Sequence, residues 1–390
     1  MKSDKTTPNV PTLRFKQYHC PWSTYHLSDI AEVVGGGTPD TTVPSLWNGD
    51  IQWFTPTEVG HQKYVSKSAR TITQLGLQKS STKKLPAGSI LLSSRATIGE
   101  CSIAQRECTT NQGFQNLIPK NDTNNEFLYY LAQTKKYHFI KYASGSTFLE
   151  ISNSEIRKTK CTVPGTEEQT QIAAFLSALD DRIAVQNKII EDLKVLKKEL
   201  CNRAFSKGSA VRLGELIEEV TVRNKSNACD NVLSVSNKMG FIKQSEQFED
   251  RTIASENKSS YKVVTKGCFA YNPARINVGS IALLSSHSMG IISPMYVCFK
   301  AKNVLDSTYL SFYYQSDFFA RELQKKLEGS VRQCLTYENM REIIIPYVNI
   351  ERQREIATTL NRFTMLIATE EKCLKALQKQ KSYFLNAMFI

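Results

Sequence analysis

Apolar residues recur between positions 172 and 200 with the four-three spacing of a heptad: Ile172, Leu176, Leu179, Ile183, Ile190, Leu193 and Leu200. The rhythm returns near the end of the sequence, at Ile356, Leu360, Phe363, Ile367, Leu374, Leu377, Phe384 and Met388. This spacing lays one apolar stripe along a helix and calls for a partner helix against it. Residues 168–205 hold neither Pro nor Gly. A helix there reaches roughly 50 Å, where ordinary globular helices average about 11–12 residues. Amphipathic helices lying on globular cores would give a similar stripe, but the length argues against them. Polar residues interrupt both stripes at matching places, Gln186 with Glu370 and Lys197 with Lys381. A polar seam residue lowers stability but fixes register and partner.

The two stripes belong to a larger duplication. Aligning Ile172-Ala173 with Ile356-Ala357, an offset of 184, also aligns Phe205 with Phe389. The segments ahead of the stripes repeat more weakly. His26-Leu-Ser-Asp-Ile-Ala-Glu-Val-Val matches Arg212-Leu-Gly-Glu-Leu-Ile-Glu-Glu-Val, and Arg95-Ala-Thr-Ile-Gly matches Arg275-Ile-Asn-Val-Gly. Gly145-Ser146 matches Gly329-Ser330. The pattern divides the chain into a globular domain (1–163), a helix (164–207), a second globular domain (208–345) and a second helix (346–390). Each globular copy is expected to open on a short helix, at 27–34 and 213–220. Short apolar strands follow, such as 89–93, 102–104, 279–284 and 295–299, and then one helix, near 126–142 and 307–327. Mixed strands with few helices predict an α+β fold.

Connectivity then constrains geometry. The first helix ends near Phe205, and the second globular domain begins by Val211. If that domain starts and finishes in one place, the second helix begins where the first ends and runs back beside it. The expected architecture is two tandem mixed α/β domains joined by an antiparallel coiled coil, with a pseudo-twofold axis. Such symmetry suits a duplex with two half-sites about one helical turn (~34 Å) or more apart.

Charge supports a polyanion as partner. The net charge is +13, with 25 Lys and Arg against 19 Asp and Glu up to Phe205, and 25 against 18 beyond it. The surplus is shared by both copies and is not a basic tail. Ten cysteines occur without a Cys-x-x-Cys pair, most beside apolar residues, and read as buried thiols in a reducing cytosol. The first residues carry no apolar signal core, and no run approaches the ~18 apolar residues of a membrane span. The expectation is a soluble, cytoplasmic protein with no membrane partner.

The sequence carries no recognisable catalytic pattern. Gly35-Gly36-Gly37 runs into Thr38-Pro39 and reads as a turn, not a dinucleotide loop. No P-loop occurs, the five His are scattered, and no metal-ligand spacing occurs. Asn272-Pro-Ala-Arg lacks the second Pro and the aromatic of an amino-methyltransferase motif. Asp180-Asp181 lies on the heptad helix and reads as solvated charge.

The wording of the first copy is more specific. In order it has Gly36-Gly-Thr-Pro-Asp, Leu46-Trp-Asn-Gly-Asp-Ile-Gln-Trp-Phe-Thr, Leu85-Pro-Ala-Gly-Ser-Ile-Leu-Leu-Ser-Ser-Arg-Ala-Thr-Ile-Gly, Thr110-Asn-Gln-Gly-Phe-Gln-Asn-Leu-Ile-Pro, Ser144-Gly-Ser-Thr-Phe-Leu-Glu-Ile-Ser and Val163-Pro-Gly-Thr-Glu-Glu-Gln. These words closely resemble the specificity subunit (HsdS) of Type I restriction–modification systems, over nearly the whole chain. The second copy keeps the frame but has Ile350-Glu-Arg-Gln for Glu-Glu-Gln and no Gly-Gly-Thr-Pro.

The resemblance implies two target-recognition domains, each reading half of a bipartite sequence in double-stranded DNA. The coiled coil would space them and dock two methyltransferase subunits, and motor–nuclease subunits would complete the restriction complex. S-adenosylmethionine, ATP and magnesium would belong to those partners, leaving this chain non-catalytic and without a cofactor or metal. Arg reads guanine bidentately, and Asn and Gln read adenine. Candidate contacts in the first domain are therefore Arg95, Thr97, Asn111, Gln112, Ser146 and Thr147. In the second they are Arg275, Asn277, Ser330 and Arg332. Lys63, Lys67, Lys83 and Lys84 are candidate phosphate contacts. Against this, Asn111 also fits a turn cap, and Gly99, Gly113 and Phe114 fit roles in shaping the domain. A coiled-coil adaptor whose basic domains bind protein or RNA is the alternative function. A fragment of a single-chain restriction–methyltransferase is disfavoured by the missing methyltransferase motifs.

Overall fold

Each globular copy begins and ends on a strand, and the two strands pair antiparallel. Ser23–His26 pairs with Lys160–Val163 in the first copy, and Ser209–Arg212 with Ile344–Tyr347 in the second. The second domain therefore starts and finishes in one place, the condition on which the antiparallel helix arrangement rests. The structure is a computed structural model and describes residues 9–145, 149–237, 239–244, 258–328 and 333–390. The chain divides into two units: unit 1, residues 1–186 with 373–390, and unit 2, residues 187–372.

Unit 1 holds a five-stranded sheet, ordered 31–35, 115–119, 90–92, 101–104, 64–65, and a three-stranded sheet ordered 70–72, 47–54, 109–110. Its central strands are apolar on both faces because both are covered. Ile90, Leu92, Cys101 and Ile103 face the helix Asn125–Thr134, and Leu91 and Ala104 face a second cluster with Phe54, Val59 and Phe114. Unit 2 has two four-stranded sheets, ordered 217–219, 297–301, 268–271, 281–283 and 240–243, 232–236, 289–292, 262–265. Phe269, Tyr271 and Phe299 face its helices, and Cys268, Ala270 and Cys298 face the other sheet.

Two expectations about local structure are corrected. The opening helices last one turn each, Leu27–Ile30 and Leu213–Leu216. The chain then turns into strands Ala31–Gly35 and Ile217–Glu219, because the β-branched residues that follow take places beside distant strands. The later helices are each broken in two. Lys135 separates Asn125–Thr134 from Lys136–Lys141, and Ser316 separates Ser307–Tyr313 from Asp317–Lys326 by capping the latter through Phe319 N at 3.2 Å.

The long helices are Thr166–Ala204 (39 residues) and Ile350–Ala387 (38 residues). Within each unit they pair in opposite directions. In unit 1 Phe175 meets Phe384 edge-on at 4.9 Å, and Asp180 meets Lys381 at 2.6 Å. In unit 2 Lys194 meets Glu371 at 2.7 Å. Every stripe position named above is buried or half-buried. Several serve the globular cores as well: Ile172, Leu176, Leu179 and Met388 join that of unit 1, and Leu360 joins that of unit 2. Asp180 is not the solvated charge expected of it. It is half-buried, paired with Lys381, and accepts the Tyr130 hydroxyl at 2.7 Å.

A glutamine at the same place in both copies fastens each long helix to its domain. Gln169 donates to Pro164 O at 2.9 Å and accepts from Asn124 N at 3.0 Å. Gln353 donates to Val348 O at 2.8 Å and Val304 O at 3.1 Å, and accepts from Asp306 N at 2.8 Å. Asn124 and Asp306 are themselves the caps of the domain helices, so each glutamine ties two helix starts together. The neighbouring departure, Glu168 against Arg352, has a local cause. Glu168 is buried under a two-point contact from Arg14, at 2.7 and 2.8 Å, whereas Arg352 pairs with Glu355 on its own helix. Gln353→Leu is expected to strip three partly buried backbone groups of partners and cost about 3 kcal/mol. Equilibrium urea unfolding measures it; a loss below about 1 kcal/mol would contradict the clamp.

Candidate nucleic-acid interface

In unit 1 four loops are tied to one another beside the small sheet. The glycine run is a close approach of backbones, as well as a turn. A Cβ on Gly36 would stand 1.9 Å from Asn111 O, and one on Gly37 2.4 Å from Ser81 Oγ. Gly37 donates its N–H to Thr110 O at 2.9 Å, and Thr38 donates its hydroxyl to Gln112 Oε1. Trp53 and Trp47 hold the far side of this loop, donating to Gly37 O at 2.9 Å and Asp40 O at 3.0 Å.

The loop of residues 111–114 joins the next. Asn111 accepts from Gly113 N at 2.8 Å, which gives it the turn-cap role. Gly113 O accepts from Ser94 N at 2.8 Å. Arg95 pairs with Glu150 at 2.9 Å, both about one-third exposed or more. Ala96 follows with a left-handed φ of 54°, a conformation costly for a residue with a Cβ, and the loop ends on Gly99 at φ 85°. This backbone turns Thr97 outward, where its hydroxyl reaches Ser93 Oγ at 3.1 Å and Pro56 O at 3.4 Å. The fourth loop is closed by two backbone bonds between Ser144 and Glu150, at 2.9 and 3.0 Å.

Unit 2 builds the corresponding loops from different residues. Arg275 and Asn277 are exposed at a 3₁₀ turn that ends on Gly279, whose φ of 85° equals that of Gly99. Glu328 and Cys334 exchange two backbone bonds, at 3.0 and 2.9 Å, as Ser144 and Glu150 do. Leu335 N donates to Pro273 O at 3.1 Å and ties this loop to the Arg275 turn. The offset of 184 places Cys334 where Glu150 stands, so Arg275 lacks the carboxylate that holds Arg95. No ion pair to Arg275 occurs among the described residues.

The remaining candidates divide. Lys67 and Lys83 are exposed, and Lys84 is exposed with Glu107 at 2.6 Å. Lys63 is corrected to a packing role. Its side chain is only 10% exposed, donates to Ser177 at 2.7 Å, pairs with Glu126 at 3.2 Å and lies 5.0 Å from the Tyr130 ring centre. Ser146, Thr147, Ser330 and Arg332 lie outside the described residues.

Sequence reading missed two features. Glu150 as the partner of Arg95 is adjacent to the Gly-Ser-Thr word and was within reach. Arg70, stacked 3.6 Å over the Trp47 ring centre, has no sequence signal, since the strands Arg70–Ile72 and Trp47–Phe54 that align them pair only in the fold.

These loops present exposed polar and cationic groups on a braced backbone. Seven cysteines are buried, but Cys20 and Cys373 are exposed and Cys334 is half-buried, contrary to a uniform buried reading. Burial pushes the thiols of Cys101, Cys108 and Cys298 up to about 12, so they stay protonated at neutral pH. Among the described residues no group of three His, Cys, Asp or Glu is placed to hold a metal ion, and no helix is long and apolar enough to cross a membrane.

Comparison with known proteins bears on this arrangement. The Type I restriction modification DNA specificity domain matches residues 20–195 and again 211–379. The MjaIX Type I restriction enzyme specificity subunit of Methanocaldococcus jannaschii is 41% identical over 188 residues, 47% of this chain and 44% of that protein. The putative MjaX specificity subunit of the same organism is 25% identical over 94% of this chain and 92% of its own length. The chain spans less than half the length of three curated relatives that it matches, at 44%, 45% and 39%. The crystal structure of a Type I restriction–modification S subunit from M. genitalium superposes with a TM-score of 0.58, covering 98% of this chain and 99% of that one at 16% identity. That likeness is one of fold.

Proposed function

The chain belongs to the family of Type I restriction–modification DNA specificity subunits, and we propose that it is the non-catalytic reader of a split DNA sequence, acting in the cytoplasm. Its two specificity domains each read one half-site. Domains of residues 1–163 and 208–345 carry the reading loops, and the helices of 164–207 and 346–390 set their separation and dock two methyltransferase subunits. Motor–nuclease subunits join where restriction accompanies modification. S-adenosylmethionine, ATP and magnesium are held by those partners.

The observation that carries this reading is the unequal fate of the two copies. The frame is kept: the strand pairs, the glutamine clamps, the φ of Gly99 and Gly279, and the bridged loops. The side chains on the loops differ, Arg95 held by Glu150 in one and Arg275 without such a partner in the other. One scaffold with two sets of exposed groups suits two different half-sites, because base-edge contacts carry sequence while phosphate contacts only position.

The test is an exchange. Replacing residues 1–163 with the first domain of another family member is expected to change one half of the methylated sequence and leave the other half as it was. A change in both halves would contradict independent reading by the two domains.

A further inference from the structure

Both units carry the same lysine on the inner stripe of a long helix, with different partners. In unit 1 Lys381 pairs with Asp180 at 2.6 Å, and its ammonium lies 5.7 Å from the Tyr130 ring centre. Tyr130 donates to the same carboxylate at 2.7 Å. The offset of 184 maps Lys381 onto Lys197 and Asp180 onto Thr364. The domain helices, offset by 182, map Tyr130 onto Phe312. Lys197 does lie 5.3 Å from the Phe312 ring centre, so the site is rebuilt in unit 2 with both the carboxylate and the phenol hydroxyl removed. Thr364 does not replace them, because its hydroxyl donates to Leu360 O at 3.0 Å.

What is left is a cavity of about 300 Å³ lined by Lys194, Lys197, Lys198, Cys201, Gln315, Thr364 and Ile367. Lys194 has Glu371 at 2.7 Å and Lys198 has Asp317 at 3.4 Å. Lys197 is half-buried and has no carboxylate partner among the described residues. Burial lowers its pKa from the ordinary lysine value. A half-buried ammonium without a counter-charge is unfavourable, and an anion from outside relieves it.

We propose that this cavity binds a carboxylate on a short apolar stem, which takes on Lys197 the place that Asp180 fills on Lys381. One unmatched charge suits a singly charged group, and Ile367, Cys201 and the Thr364 methyl suit the stem. A small organic acid and a glutamate side chain of a docked protein present the same chemistry.

The full chain, carrying ¹³C at the lysine ε position, is titrated with sodium pentanoate at low ionic strength and with sodium chloride as control. The Lys197 signal, assigned by its loss in Lys197→Arg, is expected to shift saturably with pentanoate and not with chloride, while Lys381 stays still. Thr364→Asp should abolish the shift by supplying an internal carboxylate, with an unfolding midpoint at or above that of the parent. A second arm adds the methyltransferase subunit first. Loss of pentanoate binding there assigns the carboxylate to the docked protein, and retention assigns it to a small acid. If Lys197 responds neither to pentanoate nor to that subunit, or if its response survives in Thr364→Asp, the site is overturned. The pentanoate arm does not depend on DNA reading, so its failure leaves the proposed function standing.

Discussion

Phe205→Ala is expected to destabilise unit 2 by about 3–5 kcal/mol, the range for truncating a fully buried aromatic. Phe205 immediately follows the first long helix, is 0% exposed, and lies 4.8 Å from Tyr309 and 5.4 Å from Tyr313 between ring centres. Its mate Phe389 stacks on Phe127 at 5.1 Å in unit 1. Each long helix thus ends with its aromatic in a domain core other than the one on which it began. The alanine leaves a cavity that the rings of Tyr309 and Tyr313 cannot close, because both are committed through their hydroxyls, to Pro346 O at 3.0 Å and Ile344 O at 2.6 Å. Urea unfolding should show a lower midpoint with an unchanged slope. Phe205→Leu should recover most of the loss. A cost below about 1 kcal/mol for the alanine would mean that the helix end is not anchored in the domain.

The second large effect concerns salt. If the loops seat on phosphates through side chains such as Lys67 and Lys83, binding releases counterions in proportion to the contacts made. With about 6–10 contacts over both half-sites, affinity of the complex with its methyltransferase for duplex DNA should fall by about 10³–10⁵ between 50 and 200 mM salt. Lys83→Ala should lower affinity for every sequence alike and reduce the slope by about one contact. Arg275→Ala should weaken the cognate sequence more than others. A flat salt dependence would contradict a phosphate-seated complex.

How much of this was legible in advance follows the range of the interactions. The heptad stripes are local periodicity, so the long helices and the duplication could be read directly. The opening helices could not. Ala31–Gly35 is claimed by Gln115–Pro119, whose pairing lies over eighty residues away and overrides a locally helical pattern. Lys63 and Asp180 failed for a related reason. Each looked like surface charge in sequence, and each is held where the first long helix meets Tyr130 and its neighbours, contacts that exist only after packing. The braced loops were legible as words, Arg95-Ala-Thr-Ile-Gly and Thr110-Asn-Gln-Gly-Phe, but the division of labour within them was not. Asn111 turns its side-chain oxygen to Gly113 N, while Thr97 and Gln112 stand exposed.

If two differing domains on one spacer read two half-sites, the methylated bases record it. Mapping them across the genome of a host that carries this chain with a methyltransferase subunit should give a single split motif: two short specified sequences separated by a spacer of fixed length and no sequence preference. A continuous motif, or methylation unaffected by deleting this chain, would contradict it.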